Sequence, residues 1–167
     1  MRKLSFYLCS VMFGACLLGN LHAENPNTET TEINNTKSSF METKLNLTQE
    51  WDKVFPKSDL VNHSKVTFHN RYGITLAADL YIPKNAEGKL PAIAVSGPFG
   101  AVKEQSSGLY AQTLAERGFL TIAFDPSFTG ESSGEPRYVA SPDINTEDFC
   151  AAVDFLSVQD NADPGKI

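Results

Sequence analysis

The sequence predicts an α/β fold in which an N-terminal β-hairpin is followed by a parallel strand, helix and strand with flanking helices. Residues 92–95 and 119–124 are short, continuous apolar runs, as in strands that are buried on both faces of a parallel sheet. Between them, residues 108–117 carry apolar side chains at helical spacing. A strand, a helix and a second strand in this order form a right-handed parallel unit.

The first 23 residues have the layout of a secretory signal peptide. A short basic head is followed by an apolar run and by Ala23, a small residue before a polar stretch. The alternatives are a transmembrane anchor and lipid attachment at Cys16, but the apolar run is shorter than the ~20 residues that span a bilayer. We therefore expect an exported protein of the bacterial periplasm or cell envelope, without a stable membrane span.

Composition indicates which part of the chain folds and which class of partner is disfavoured. The chain has 167 residues and a formal net charge of -6, which does not favour nucleic acid as a partner. Cleavage after Ala23 would remove Cys9 and Cys16, so that Cys150 alone remains and no internal disulfide can form. Residues 24–46 are rich in polar side chains and predict a disordered linker. Residues 47–167 are then the folded portion.

The folded portion begins with a predicted helix and a predicted hairpin. Leu47, Trp51, Val54 and Phe55 recur at helical intervals up to a proline, which predicts a short amphipathic helix. Two stretches rich in β-branched and aromatic residues follow, at 65–68 and 75–82, around the turn 70–73. This pattern is typical of a β-hairpin.

Capping residues predict the limits of two later helices. Ser107 is the expected N-cap of the helix at 108–117, and Gly118 is its expected C-terminal glycine. Ser141 and Pro142 open a second helix, with Pro142 at the first helical position. The apolar face of this second helix is expected to contain Phe149, Ala152, Val153 and Leu156, with Cys150 as buried packing.

The first candidate functional segment is the loop at 96–105. In open α/β sheets the functional groups lie beyond the carboxyl ends of the strands, and this loop follows the apolar run 92–95. Its glycines allow close backbone approach, so the N–H of Phe99 or Gly100 could face a developing oxyanion. A plain tight turn is the alternative. Lys103 is expected to pair with an acid or cap the next helix. No phosphate-binding spacing is present, and we expect neither a cofactor nor a metal.

The second candidate segment is the loop at 125–137, which contains a G-x-S-x-G sequence centred on Ser132. This serine lies eight residues beyond Phe124 and is not followed by a helix, whereas a nucleophile elbow sits directly between a strand and a helix. His63 and His69 both precede it, so a suitably placed base is lacking. We therefore predict a scaffold role for this loop rather than catalysis, carried by Asp125, Gly130, Ser132 and Gly134.

Several motifs together resemble the N-terminal half of bacterial α/β-hydrolases of the dienelactone-hydrolase and X-Pro-peptidase-like group. The resemblance covers about residues 51–167. The matching segments are Asn70-Arg71-Tyr72-Gly73 with Asp79-Leu80-Tyr81-Ile82-Pro83, Gly97-Pro98-Phe99-Gly100-Ala101-Val102-Lys103-Glu104-Gln105, Asp125-Pro126-Ser127, and Gly130-Glu131-Ser132-Ser133-Gly134-Glu135-Pro136-Arg137, with Glu147-Asp148-Phe149 on the next helix.

The resemblance implies an incomplete α/β-hydrolase fold. It makes the segment 97–101 the oxyanion-hole loop and the segment 163–167 the entry to a fifth strand, after which the family places its serine or cysteine elbow. Nucleophile, acid and histidine would then all lie beyond Ile167. A full-length form would cleave a small ester, lactone or amide, whereas this chain alone is expected to be inactive. The alternative is a non-catalytic envelope protein or pseudoenzyme that serves as a binding or assembly module.

The resemblance also implies which strands lie beside the strand at 92–95. In that fold it lies between the strand at 119–124 and the fifth strand. Without the fifth strand it would present an unpaired apolar edge, and such edges pair with other chains. We therefore expect the isolated chain to self-associate or to be poorly soluble.

Overall fold

The computed structural model describes residues 44–167, which form one four-stranded sheet with two helices. The predicted signal peptide and residues 24–43 of the predicted linker lie outside the described residues. The sheet has the order β1-β2-β4-β3. The elements in chain order are β1 (Val61–His69), β2 (Thr75–Pro83), β3 (Ala92–Val95), α1 (Ser106–Ala115), β4 (Leu120–Phe124) and α2 (Pro142–Ser157).

The predicted hairpin is confirmed, and β1 extends further toward the N-terminus than the sequence pattern indicates. The turn is closed by the side chain of Asn70, whose Oδ1 accepts the N–H groups of Tyr72 and Ile74, both at 3.0 Å. Gly73 has a φ of 75°, a conformation that costs glycine little. β2 pairs antiparallel with both β1 and β4.

The predicted parallel unit is also confirmed, because β3 pairs parallel with β4 and α1 connects the two strands. The two faces of the sheet are covered by different helices. On one face, α1 packs against a small cluster that includes Tyr81 and Ala123. The other face packs against α2 and carries the main core, formed by Phe68, Leu76, Ala78, Leu80, Leu90, Ala92, Leu120, Ile122, Phe124, Ala151, Ala152, Leu156 and Ala162. No helix within residues 44–167 has both the length and the apolar character needed to cross a bilayer.

After α2 the chain returns to the outer edge of β3. Leu90 forms a parallel bridge with Ala162, and the N–H of Ala92 donates to the carbonyl of Lys166 at 2.9 Å. The segment at 161–166 therefore runs beside the start of β3 in the parallel sense. This is the place and direction that the resemblance implies for the entry to a fifth strand.

Ala94 provides a way to test the predicted self-association through this edge. Ala92 bonds outward, whereas the carbonyl of Pro91 accepts from Leu120 on the β4 side, and successive residues of a strand alternate in direction. The N–H of Ala94 therefore points to the outer edge. Because proline is tolerated on edge strands, we expect Ala94→Pro to reduce association of the full chain in sedimentation velocity.

Ile93→Pro is the matched control. The N–H of Ile93 faces β4, so the loss of this donor should disrupt the sheet itself. A wild-type chain that sediments as a single monomeric species and melts reversibly would contradict the prediction.

The predicted helix at the start of the folded portion is wrong. Residues 44–60 contain no helix. Lys53 and Phe55 are buried while Val54 is 78% exposed, an alternation typical of extended chain. The N–H of Val54 donates to Glu104 at 3.1 Å, and the indole N–H of Trp51 donates to the carbonyl of Phe55 at 2.8 Å. Contacts with the domain therefore determine the conformation of this segment.

Helices α1 and α2 differ in detail from the helices that the sequence predicts. Helix α1 begins at Ser106, and Gln105 occupies the N-cap position without a side-chain cap. Ser107 does not cap because it lies inside the helix, and its hydroxyl donates to Val102 at 3.5 Å. Helix α2 begins as predicted, with Ser141 as N-cap and proline in the first turn.

The buried face of α2 is shifted relative to the predicted face. Phe149 and Val153 are 42% and 39% exposed, and Cys150 is exposed rather than buried. Asp148 is instead fully buried, where it accepts hydrogen bonds from Ser127. These buried polar contacts orient the helix, since a buried carboxylate without partners would be costly. An apolar pattern alone does not reveal them.

Candidate active site

The loop after β3 forms a tight turn that leaves two amides free. The N–H of Ala101 donates to the carbonyl of Pro98 at 2.9 Å, and Gly100 has a φ of 80°. These are the features of a type II turn with glycine in its third position. Within residues 44–167, the N–H groups of Phe99 and Gly100 donate to no protein oxygen. A tight turn and a loop with oxyanion donors are therefore compatible, because the turn itself leaves these two N–H groups free.

Two cavities adjoin this turn, and Phe99 and Gly100 line both of them. The larger has a volume of about 320 Å³ and is also lined by residues of the loop after β4, including Thr129 and Tyr138. The smaller, of about 90 Å³, includes Pro126 and Asn145. The free amides therefore lie at the carboxyl end of the parallel strands, beside space that a small molecule can occupy.

Ser132 lies in the loop after β4, and its side chain is buried. It is 2% exposed. Its hydroxyl donates to the carbonyl of Asp125 at 2.7 Å and accepts the N–H of Ala77 at 2.8 Å. His63 is bonded instead to Asp79, at 2.7 Å. The structure thus bonds Ser132 to β2 and to the residue that follows β4, and it brings no histidine to Ser132 among the described residues.

Asp125 connects the loops after β3 and β4. One carboxylate oxygen accepts the N–H of Lys103 at 2.8 Å, and the other accepts the N–H of Glu131 at 2.9 Å. A Cβ on Gly130 would lie 2.2 Å from this second oxygen, so only glycine allows the approach. Gly134 is needed for a similar reason, because its Cβ would lie 2.5 Å from the ring of Phe128.

Lys103 is the centre of an ionic network that joins the two loops. Its side chain is fully buried, and its ammonium contacts Asp125 at 2.8 Å, Glu131 at 2.7 Å and Glu104 at 2.5 Å. Burial alone would lower the pKa of Lys103, but the attraction of Asp125 and the three hydrogen bonds raise it. Burial opposes ionisation of Glu131 as well, yet hydrogen bonds from Lys103 and Lys65 lower its pKa to about 2.

The network continues into the hairpin and the N-terminal segment. Lys65 contacts Glu131 at 2.7 Å and Asp52 at 2.8 Å. Lys53 then joins Asp52 to Asp79, at 2.6 Å and 3.0 Å, and Asp79 contacts His63. These contacts hold the segment at 44–60 against the sheet.

Three acids of the network lie close enough to suggest a cation site. Oxygen atoms of Asp52, Glu104 and Glu131 lie within 4.8 Å of one another. However, the ammonium groups of Lys65 and Lys103 already contact these oxygens. The cluster is therefore explained by lysine pairing.

Sequence reasoning gave Lys103 only a pairing or capping role and missed the extent of the network. The available signal was a lysine directly after an apolar, glycine-rich loop, together with Asp125 at the end of a buried strand. The signal does not reveal that Asp52 and Lys65 join the same cluster, because their approach depends on how the N-terminal segment crosses the sheet.

The comparisons with known proteins agree with this architecture. The family model of X-Pro dipeptidyl-peptidase, the S15 family, matches residues 72–167. An uncharacterised protein of Pseudomonas aeruginosa, PA2218, is 72% identical over 129 residues, which are 77% of this chain and 34% of the relative. The thiohydrolase aneE of Aspergillus aculeatus is 35% identical over 63% of this chain and 32% of its own length.

Solved structures show the same relationship. The crystal structure of PA2218 superposes with a TM-score of 0.73, over 74% of this chain and 39% of that chain. The α/β-hydrolase GrgF from Penicillium is 26% identical, with a TM-score of 0.58, over 64% of this chain and 36% of its own. The chain thus spans about a third of the length of the curated relatives it matches. The family model covers more than half of the chain, and the chain belongs to the X-Pro dipeptidyl-peptidase S15 family of α/β-hydrolases.

Proposed function

We propose that this chain is the N-terminal part of a hydrolase that cleaves an ester, lactone or amide, and that it supplies the oxyanion-binding amide. The observation that carries the proposal is the turn at residues 98–101. Its free N–H groups at Phe99 and Gly100 lie beside two cavities at the carboxyl end of β3. Preorganised amides in such a position stabilise the negative charge that develops on a carbonyl oxygen under nucleophilic attack.

The relatives support a shared intermediate rather than a shared substrate. An X-Pro dipeptidyl-peptidase expels an amine and a thiohydrolase expels a thiol, and these are the activities that the matching family and one relative are named for. Both reactions proceed by attack on a carbonyl group and need an oxyanion donor. In the proposed function, nucleophile, acid and histidine are contributed by sequence beyond Ile167, and the isolated chain is inactive.

Ser132→Ala tests whether this chain holds its own nucleophile. We expect the chain as given to show no turnover of a 4-nitrophenyl ester, and a longer form of the reading frame to show turnover that Ser132→Ala leaves largely intact per folded molecule. Release of nitrophenolate, normalised to the folded fraction, is the measurement.

Two results would count against this function. Turnover by the given chain that Ser132→Ala abolishes would make Ser132 the nucleophile. A longer form that carries no strand followed by G-x-[SC]-x-G and shows no turnover would favour the non-catalytic binding or assembly module.

A further inference from the structure

We propose that the larger cavity is a subsite for an uncharged aromatic group of the substrate, with Tyr138 as its specificity-determining residue. The inference rests on the proposed function and names the chemistry of the group that lies beside the oxyanion donors. Gly100 provides the link, because it offers one of the free amides and also lines the cavity. A group bound there has its neighbouring carbonyl close to that turn.

The backbone of Tyr138 is held in an unfavourable conformation. Tyr138 has a φ of 61° and Phe128 a φ of 70°, and such left-handed conformations are uncommon for bulky residues and cluster at ligand-binding sites. The N–H of Tyr138 donates to the carbonyl of Phe128 at 2.9 Å. Yet the side chain of Tyr138 is 82% exposed, so core packing does not explain why the backbone adopts this conformation.

The loop that presents Tyr138 is braced by its neighbour. The guanidinium of Arg137 donates to the carbonyls of Ser132 and Gly130, at 2.5 Å and 2.7 Å. Ser132 is in turn bonded to β2 through Ala77. The ring of Tyr138 is therefore presented from a loop tied to the sheet, which reduces the entropy lost when a ligand binds against it.

The size and lining of the cavity indicate the class of ligand. Its volume of about 320 Å³ is at the lower end of small-molecule sites, which begin near ~300 Å³, and a cavity of ~150 Å³ is enough for benzene. All six lining residues are uncharged. A charged group would lose hydration there without an opposite charge, so the lining favours a neutral group.

The two aromatic residues of the lining favour a ring over an alkyl chain. Phe99 and Tyr138 line the same cavity, and both are mostly exposed. The aromatic pairs formed within residues 44–167 do not include these two rings. Both rings are therefore available to a third ring bound in the cavity, which gains stacking or edge-to-face contacts that a saturated group lacks.

Three small probes distinguish these properties in an NMR titration of the full chain carrying Ala94→Pro, the substitution expected to reduce its association. Methyl benzoate is aromatic and neutral, benzoate is aromatic and charged, and methyl cyclohexanecarboxylate is neutral and saturated. We expect methyl benzoate to bind most tightly and to shift the amide resonances of Gly100 and Gly130.

Variants at Tyr138 assign the effect to its ring. Tyr138→Asn keeps a residue that tolerates positive φ and should weaken binding of methyl benzoate by about tenfold, whereas Tyr138→Phe should restore it. Tyr110→Asn removes a similarly exposed tyrosine from α1 and should change nothing. Equal binding by Tyr138→Asn, tighter binding of either comparison probe, or no binding at all would overturn the proposal.

The titration and the turnover assay on a longer form together separate this inference from the proposed function. Selective binding of methyl benzoate, with no ester turnover by the longer form, would retain the subsite and refute the hydrolase. Hydrolysis without any preference for an aromatic group would retain the hydrolase and refute the subsite.

Discussion

Replacing Lys103 with methionine should lower the free energy of unfolding by about 3 to 5 kcal/mol, the usual cost of removing one partner of a buried ion pair. Asp125 is fully buried and would lose the ammonium that contacts it at 2.8 Å, so that a buried carboxyl group is left without its partner. Glu131 would lose one of its two lysine contacts. Urea denaturation with and without Lys103→Met, both in a chain that carries Ala94→Pro to reduce association, measures the difference provided that the two m-values agree.

Lys166→Met is the matched control. Lys166 is 69% exposed and pairs with Asp163, and pairs of this kind contribute about 0 to 1 kcal/mol. A loss below about 1 kcal/mol for Lys103→Met would mean that the network adds little beyond hydrophobic packing.

The network should also give the wild-type chain a distinct acid sensitivity. Its lysine contacts lower the pKa of Glu131 from 4.5 to about 2, so the folded state binds protons less readily than the unfolded state. The stability contributed by Glu131 is therefore fully present above about pH 4.5 and is lost as the pH falls toward 2. Lys103→Met should reduce this loss, because one of the contacts that lower the pKa is gone.

Replacing Phe99 with proline should lower the kcat of a catalytically competent longer form by about a hundred- to a thousandfold, if the N–H of Phe99 is the oxyanion donor. Phe99 holds the second position of the type II turn, where proline is favoured. The substitution therefore removes the N–H while it preserves the turn. Steady-state kinetics on one ester, with kcat and KM determined separately, gives the result.

Phe99→Ala is the matched control because it removes the ring and retains the N–H. It should raise KM and leave kcat nearly unchanged. If instead Phe99→Pro behaves like Phe99→Ala, the donor is not Phe99, and the N–H of Gly100 becomes the remaining candidate of the two.

Much of the fold could be predicted because its strongest signals are local. The apolar run at Ala92–Val95 and the run that ends at Phe124 identify two strands, of which β4 is buried along its whole length and the edge strand β3 only at Ala92, and Pro142 marks a helix start. The segment at 47–55 differs from its predicted structure because its apolar spacing fits a helix, whereas its backbone bonds to Glu104 and the alternating burial of its side chains favour extended chain.

The position of the candidate site was predictable from the sequence, whereas the contacts that hold its loops in place were less so. Glycines at 97 and 100 after an apolar strand point to an accessible backbone, and the structure shows free amides there. Nothing local indicates that Lys103 is fully buried or that Tyr138 adopts a positive φ. Both features depend on contacts between segments that are distant in the sequence.

The most direct test of the central claim is a crystal structure of a longer, active form after reaction with a phosphonate ester that mimics the tetrahedral intermediate. We expect the phosphonyl group to be attached to a residue beyond Ile167 and its oxygen to lie about 2.7 to 3.1 Å from the N–H of Phe99 or Gly100. Attachment to Ser132, or an oxygen remote from both amides, would contradict it.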